Sequence, residues 1–223
     1  MAGLIKFFQD GGWHMLPIAL AFAAGLAIAI ERWIFLARER SRNTSVWQAL
    51  LPALNAGDFK RANDIAQQSN AALGKMIGYG MSRIGRRAED LELALEEGLM
   101  EIMPKLEKRT GYLSMLANVA TLLGLLGTIM GLIDAFGAVA TAAASEKAAL
   151  LSAAIAVAMN ATAFGLVAAI PLLLFSTYLQ SQTSEIVDSL EMAAVKFSNF
   201  VRKVQVEKEM AQARAAQQTQ RPV

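Results

Sequence analysis

The chain has 223 residues, 55% of them hydrophobic, with no cysteine and a formal net charge of +2. A mean hydropathy of +0.37 is more apolar character than a soluble domain of this length needs, and three long runs carry the excess. The lack of cysteine excludes disulfides, thiol nucleophiles and thiolate metal sites, and the basic residues, interleaved with acids, form no nucleic-acid footprint.

Residues 2–9, AGLIKFFQ, form a short amphipathic segment on the outer side (1–12), which can rest on the membrane surface before Gly11-Gly12 turns the chain inward. The first apolar run, Met15–Ile30, is interrupted by Glu31 and Arg32, which can snorkel while Trp33-Ile34-Phe35-Leu36 continues it. Trp13 and Trp33 are 20 positions apart, roughly 30 Å of helix, as befits an aromatic residue at each membrane interface. Only Lys6 precedes this run, while Arg32, Arg38, Arg40 and Arg42 follow it. That order predicts a retained transmembrane helix over 13–37, with its N-terminus outside, and not a signal peptide.

The next segment, 38–110, reads as a helical cytoplasmic domain. Gly57-Asp58 before FKRANDIAQQS has the form of a helix C-cap glycine followed by an N-cap aspartate. Gly74, Gly78, Gly80 and Gly85 weaken the helical pattern after it. From Leu91 the pattern strengthens and is read as running without a stop into the second span, with a kink at Pro104.

The runs Tyr112–Ile133 and Ala148–Leu179 are each long enough for a hydrocarbon core about 30 Å thick, which needs roughly 20 helical residues. They predict transmembrane helices over 111–136 and 148–179, joined by a short outer loop, 137–147. Residues 180–212 predict a C-terminal cytoplasmic helix, because Ile186, Leu190, Ala194, Phe197, Val201 and Val204 recur every three or four positions. Residues 213–223 read as a disordered tail. The segment Arg38–Arg109 carries 12 Lys/Arg and the chain after Leu179 carries 6, whereas the loop between the last two spans has only Lys147. The positive-inside rule therefore places the N-terminus outside and the C-terminus in the cytoplasm.

The second span gives up oily side chains for small and polar ones. In VATLLGLLGTIMGLIDAF, the residues Thr121, Gly124, Thr128, Gly131 and Ala135 share one helix face, and Gly127 and Gly131 make a GxxxG pair. In the third span Ala158, Thr162, Gly165 and Ala169 share a face, with Asn160 about 200° away around the helix. Such faces mark close packing or a pore wall. For each threonine alone, a bond to its own i−4 carbonyl is the plainer reading. For Asn160 the plainer reading is an interhelical hydrogen bond, and for Pro171 a kink. His14 and Asp134 are placed near the outer surface, where water reaches them. No ionisable residue lies deep in either span, although intramembrane carboxylates are the usual proton carriers. Two helices with small or polar groups on more than one side cannot both be sheltered within one copy, which argues for a ring of subunits or a membrane partner. No Ser/His/Asp set, paired acids, P-loop or metal spacing supports an enzyme, and no cofactor or metal is expected.

The strings GLLGTIMGLIDAF and NATAFGLVAAIPLLLFSTYL resemble the MotA/TolQ/ExbB proton-channel family, as does the order of spans and helical segments. That resemblance implies an all-α membrane protein of three transmembrane helices, forming a homopentamer in a bacterial inner membrane. Within the pentamer would sit a dimeric single-pass partner of the ExbD/TolR/MotB type, whose aspartate supplies the missing carboxylate. The second and third spans would line the central pore. Thr128 and Thr162 match the family's pore threonines, and Pro171 its AIP proline. Thr121 and Asn160 join them as candidate pathway residues, and Gly124, Gly127, Gly131, Gly165 and Pro171 are the candidate packing residues. Val157 stands where ExbB-type sequences carry a glutamate, with Asn160 as a polar addition, which tilts the reading toward another branch, such as a gliding-motility or related envelope machine. The implied function is a stator-like subunit coupling proton (or sodium) flow to mechanical work. A non-conducting membrane scaffold is the second reading. A solute transporter is a weaker third, because internal symmetry is lacking.

Overall fold

The computed structural model describes the backbone of residues 14–219 and the side chains of residues 14–214. The amphipathic segment 2–9, the Gly11-Gly12 turn and Trp13 lie outside the described residues. Among those described, every regular element is an α-helix: α1 Met15–Asn55, α2 Phe59–Gln68, α3 Ala72–Met81, α4 Ala88–Glu107, α5 Gly111–Thr141 and α6 Lys147–Thr219. Apolar stretches long enough to cross a bilayer lie in α1, in Ala88–Thr141 and in α6. The protein is therefore an all-α, multi-pass membrane protein.

Two compact units share these helices. The first gathers Arg109–Ser181 with the chain up to Trp33, and the second gathers Ile34–Lys108 with the chain from Gln182 onward.

The first unit turns large apolar side chains outward. Leu122, Ile133, Val167 and Leu174 are all more than 59% exposed, at 63%, 60%, 62% and 68%. This is the reverse of a water-soluble domain and is the surface expected of helices that meet lipid or other membrane helices. Its interior holds buried large side chains such as Met15, Ile18, Leu113 and Leu172, and small residues set its closest helix approaches. A Cβ on Gly25 of α1 would fall 2.6 Å from Leu172 Cδ2 of α6, so the absence of a side chain sets that approach. Arg109 donates to the Glu31 carboxylate at 3.4 Å.

The second unit has an ordinary apolar core, with Leu50, Met76, Ile77, Leu95, Leu190 and Phe197 all buried. Ile186, Leu190, Phe197 and Val201 from the C-terminal stripe are buried, while Ala194 and Val204 are half-buried. The stripe therefore packs on the other helices of this unit. Local chemistry explains the turns. At the end of α1, Asp58 N–H bonds Ala53 O at 2.9 Å and Gly57 N–H bonds Leu54 O at 3.1 Å, with Gly57 at φ +68°. This is a Schellman end, which requires the left-handed conformation that glycine adopts freely. Asp58 then caps α2, its Oδ1 accepting from Arg61 N at 3.0 Å. Tyr79 on α3 hydrogen-bonds Glu101 on α4. That bond to a carboxylate holds the phenol pKa above its ordinary value.

The glycine-rich segment that weakened the sequence pattern does form a helix, α3, and its cap comes from far away in the chain. Ala71 offers no side-chain cap. Instead Glu39 Oε1 accepts from Ala72 N at 2.6 Å and Asn43 Oδ1 accepts from Leu73 N at 3.0 Å. Both side chains belong to buried residues of α1, each 6% exposed. Glu39→Ala leaves a buried N–H unmatched and is expected to destabilise the α3 start by about 1–3 kcal/mol. Glu39→Gln keeps an acceptor and should lose less. Amide hydrogen exchange over 72–81 checks this: wild-type protection in Glu39→Ala would remove the capping role.

Several sequence expectations change here. The helix from Leu91 does not run on into the second span: it breaks at residues 108–110, where Arg109 takes φ +65°. Neither glycine nor proline lies within the break itself, although Gly111 follows it. A non-glycine residue in the left-handed region costs roughly 1–2 kcal/mol, and here it accompanies the Arg109–Glu31 ion pair. Pro104 sits inside α4. The boundaries drawn at 37/38 and 179/180 do not interrupt the backbone, since α1 continues to Asn55 and α6 is one helix of 73 residues. That helix also includes 213–219, the first part of the stretch read as a disordered tail.

Candidate functional site

The α5–α6 seam brings the two stripes together, backbone to backbone. A Cβ on Gly165 would lie 2.8 Å from Ala120 O and 3.1 Å from Gly124 Cα. A Cβ on Gly124 would lie 3.1 Å from Ala161 O and 3.2 Å from the Cα atoms of Thr162 and Gly165. Farther along, Gly127 faces Ala161 Cβ at 2.8 Å and Gly131 faces Ala158 Cβ at 2.9 Å, measured from the same hypothetical Cβ atoms. In hydrocarbon, helices gain little from burying oily surface against each other, so contact of this closeness is how they adhere.

The closeness also brings two hydroxyls together. Thr128 of α5 and Thr162 of α6, 34 positions apart in the chain, hydrogen-bond through their Oγ1 atoms. Thr162 Oγ1 also donates across the seam to Gly124 O at 2.9 Å, while Thr128 Oγ1 lies 3.3 Å from the same carbonyl. Two hydroxyl protons thus serve three contacts around one backbone oxygen, and both side chains are only half-buried. What the pair keeps free is oxygen lone pairs, which suit a cation or the proton of a neutral acid.

The other candidates fall elsewhere. Thr121 donates to its own i−4 carbonyl, Ala117 O, at 3.1 Å and makes no bond across the seam. Asn160 is half-buried. Since Ala158, Ala161, Thr162 and Gly165 all face α5, Asn160 lies on the opposite flank of α6 by helical spacing. Pro171 is inside α6, half-buried, and Asp134 is exposed. Along α5 the only Asp, Glu, Lys, Arg or His before Thr141 is Asp134, and along α6 none occurs between Lys147 and Glu185. Among the described residues no group of three His, Asp or Glu is placed to hold a metal ion.

Two features of this site escaped the sequence reading. The Gly124 carbonyl acts as a shared acceptor, which no side-chain pattern shows. Gly25, whose contact with Leu172 joins α1 to α6, carried a usable signal, since it is a glycine in mid-span flanked by alanines and leucines.

A family model for the MotA/TolQ/ExbB proton channel family matches residues 66–192, more than half of the chain. The chain belongs to the MotA/TolQ/ExbB proton channel family. The match takes in α3, α4, α5 and most of α6, with both threonines, and leaves α1 outside. Relatives agree over longer spans. The ExbB-like 1 biopolymer transport protein of Synechocystis sp. is 29% identical over 188 residues, covering 83% of this chain and 74% of its own. ExbB-like 3 of the same organism is 25% identical over 172 residues, covering 77% and 82%. An ExbB homolog of Methanothermobacter thermautotrophicus is 26% identical over 194 residues, covering 85% and 67%. In this MotA/TolQ/ExbB chain the paired hydroxyls occupy the seam of the two family-matched spans.

Proposed function

We propose that this protein is the channel subunit of an ion-driven membrane motor, in which five copies surround a dimeric single-pass partner. The Thr128–Thr162 pair, closed over the Gly124 carbonyl in spans without a deep carboxylate, carries this reading. Such a wall can accept a proton or coordinate a cation, but it has no acid of its own to carry either. An aspartate on the partner supplies that group and moves from one copy's threonine pair to the next, turning ring against core. Each elementary charge crossing the membrane releases about 2.3 kcal/mol per 100 mV, so useful work sums several crossings. Thr121 extends the polar path along α5, Asn160 offers a polar group on the other flank of α6, and the glycines hold α5 and α6 together. In this reading the membrane is a bacterial inner membrane, the N-terminus is outside, and the second unit and C-terminus are cytoplasmic, in line with the lysine and arginine distribution.

Native mass spectrometry of the full-length protein, with and without a candidate partner bearing one span and an intramembrane aspartate, tests the architecture. Five copies alone and five plus two together are the expected masses. A monomer or dimer indifferent to every such partner would leave the small-residue faces as ordinary packing and favour a scaffold.

A further inference from the structure

Within the second unit lies a cavity of about 350 Å³ between α1, the start of α3 and α6. That volume falls in the range of small-molecule sites, about 300–1,000 Å³. Its floor is apolar: Leu73, Ile186, Leu190 and Ala193 are all buried. Trp47, half-buried, adds a flat indole to the wall.

The polar groups around it are unevenly committed. Arg40 is already engaged, donating to Glu185 at 3.0 Å and to Gln182 at 3.2 Å. Lys196, on the same wall, forms no ion pair among the described residues. With Arg40 and Glu185 cancelling, one positive charge remains. The hydroxyls of Thr44 and Ser189 donate to carbonyls of their own helices, Arg40 O at 3.0 Å and Ile186 O at 2.7 Å. Asn43 differs. It lines the cavity but is only 6% exposed, its Oδ1 is taken by Leu73 N–H, and its Nδ2 is buried with no hydrogen-bond partner. A buried amide donor without an acceptor is costly.

We infer that this cavity is a binding site for a small organic monoanion with a flat apolar body, of the aryl carboxylate class. The body fills the space over Leu190 and against Trp47, where aromatic rings stack favourably. The carboxylate faces Lys196. The site is separate from the threonine pair, and it stands whether or not the chain conducts ions.

The test is a fluorine NMR titration of full-length protein in lipid nanodiscs with 4-(trifluoromethyl)benzoate. The matching benzylamine, the benzyl alcohol and empty nanodiscs serve as controls. Saturable binding of the benzoate above the empty-nanodisc signal is expected, with the amine and the alcohol both weaker. Lys196→Gln should weaken it about fivefold, as loss of one near-surface charge implies. Thr44→Phe, at an exposed position on the rim, should block it without touching the core. Binding of the amine as tight as that of the benzoate overturns the inference. So does benzoate binding that both substitutions leave unchanged, or no saturable binding at all.

Discussion

Thr162→Val is expected to abolish ion-driven work while the assembled complex survives. Valine keeps the shape and removes the hydroxyl. What is lost structurally is the bond to Gly124 O and the contact with Thr128. Interhelical hydrogen bonds in membranes average only about 0.6 kcal/mol, and the Gly124–Gly165 contact that holds the seam is untouched. What is lost functionally is one of two lone-pair donors at the point where an ion or a neutral acid would rest. Thr162→Ser, which restores the oxygen, should recover most of the activity. Ion flux in proteoliposomes containing the partner, read beside native mass spectrometry of the same samples, separates the two effects. Full flux in Thr162→Val would remove the threonine pair from the pathway. Loss of the complex in that variant would show that the hydroxyl's main role is adhesion.

Gly165→Val should act in the opposite order, with structure failing first. Its Cβ would press on Ala120 O at 2.8 Å and Gly124 Cα at 3.1 Å, both backbone atoms that no rotamer change can move. Overpacking of a tight interior typically costs about 1–3 kcal/mol, and forcing two backbones apart lies at the upper end. The same displacement would part Thr128 from Thr162, so flux should vanish with the assembly. Gly137→Ala is the control, because its added Cβ meets nothing within 4 Å. Thermal stability by size-exclusion chromatography in detergent reads both variants. If Gly165→Val melts with the wild type, the close approach of α5 and α6 is not what holds the seam.

Much of the fold was legible because its signals are local. The three apolar runs, the Gly57–Asp58 punctuation and the stripe from Ile186 to Val201 each depend on residues a few positions apart, and each is found where the pattern put it. The candidate site was half legible. The stripes showed which faces of α5 and α6 were small, and a resemblance supplied the importance of Thr128 and Thr162. That their hydroxyls meet, and share one carbonyl, is a property of two helices in register across 34 residues of chain. Periodicity along either helix alone cannot state it. The break at Arg109 was hidden for a similar reason: an arginine in the left-handed region has no local signature, and its guanidinium meets Glu31, 78 positions away.

The sequence by itself determined that this is a helical membrane protein with three apolar runs long enough to cross a bilayer and small faces free of deep carboxylates on the last two, because hydropathy and helical spacing are additive along the chain. Only the tertiary structure decided what those faces and the polar residues do. It paired Gly124 with Gly165, closed Thr128 on Thr162, sent Glu39 and Asn43 to cap a helix 30 or more positions on, and left Asn43, a cavity-lining residue, with a buried unmatched amide hydrogen. Backbone approach and hydrogen-bond partnership depend on distances between elements, and composition does not contain those distances.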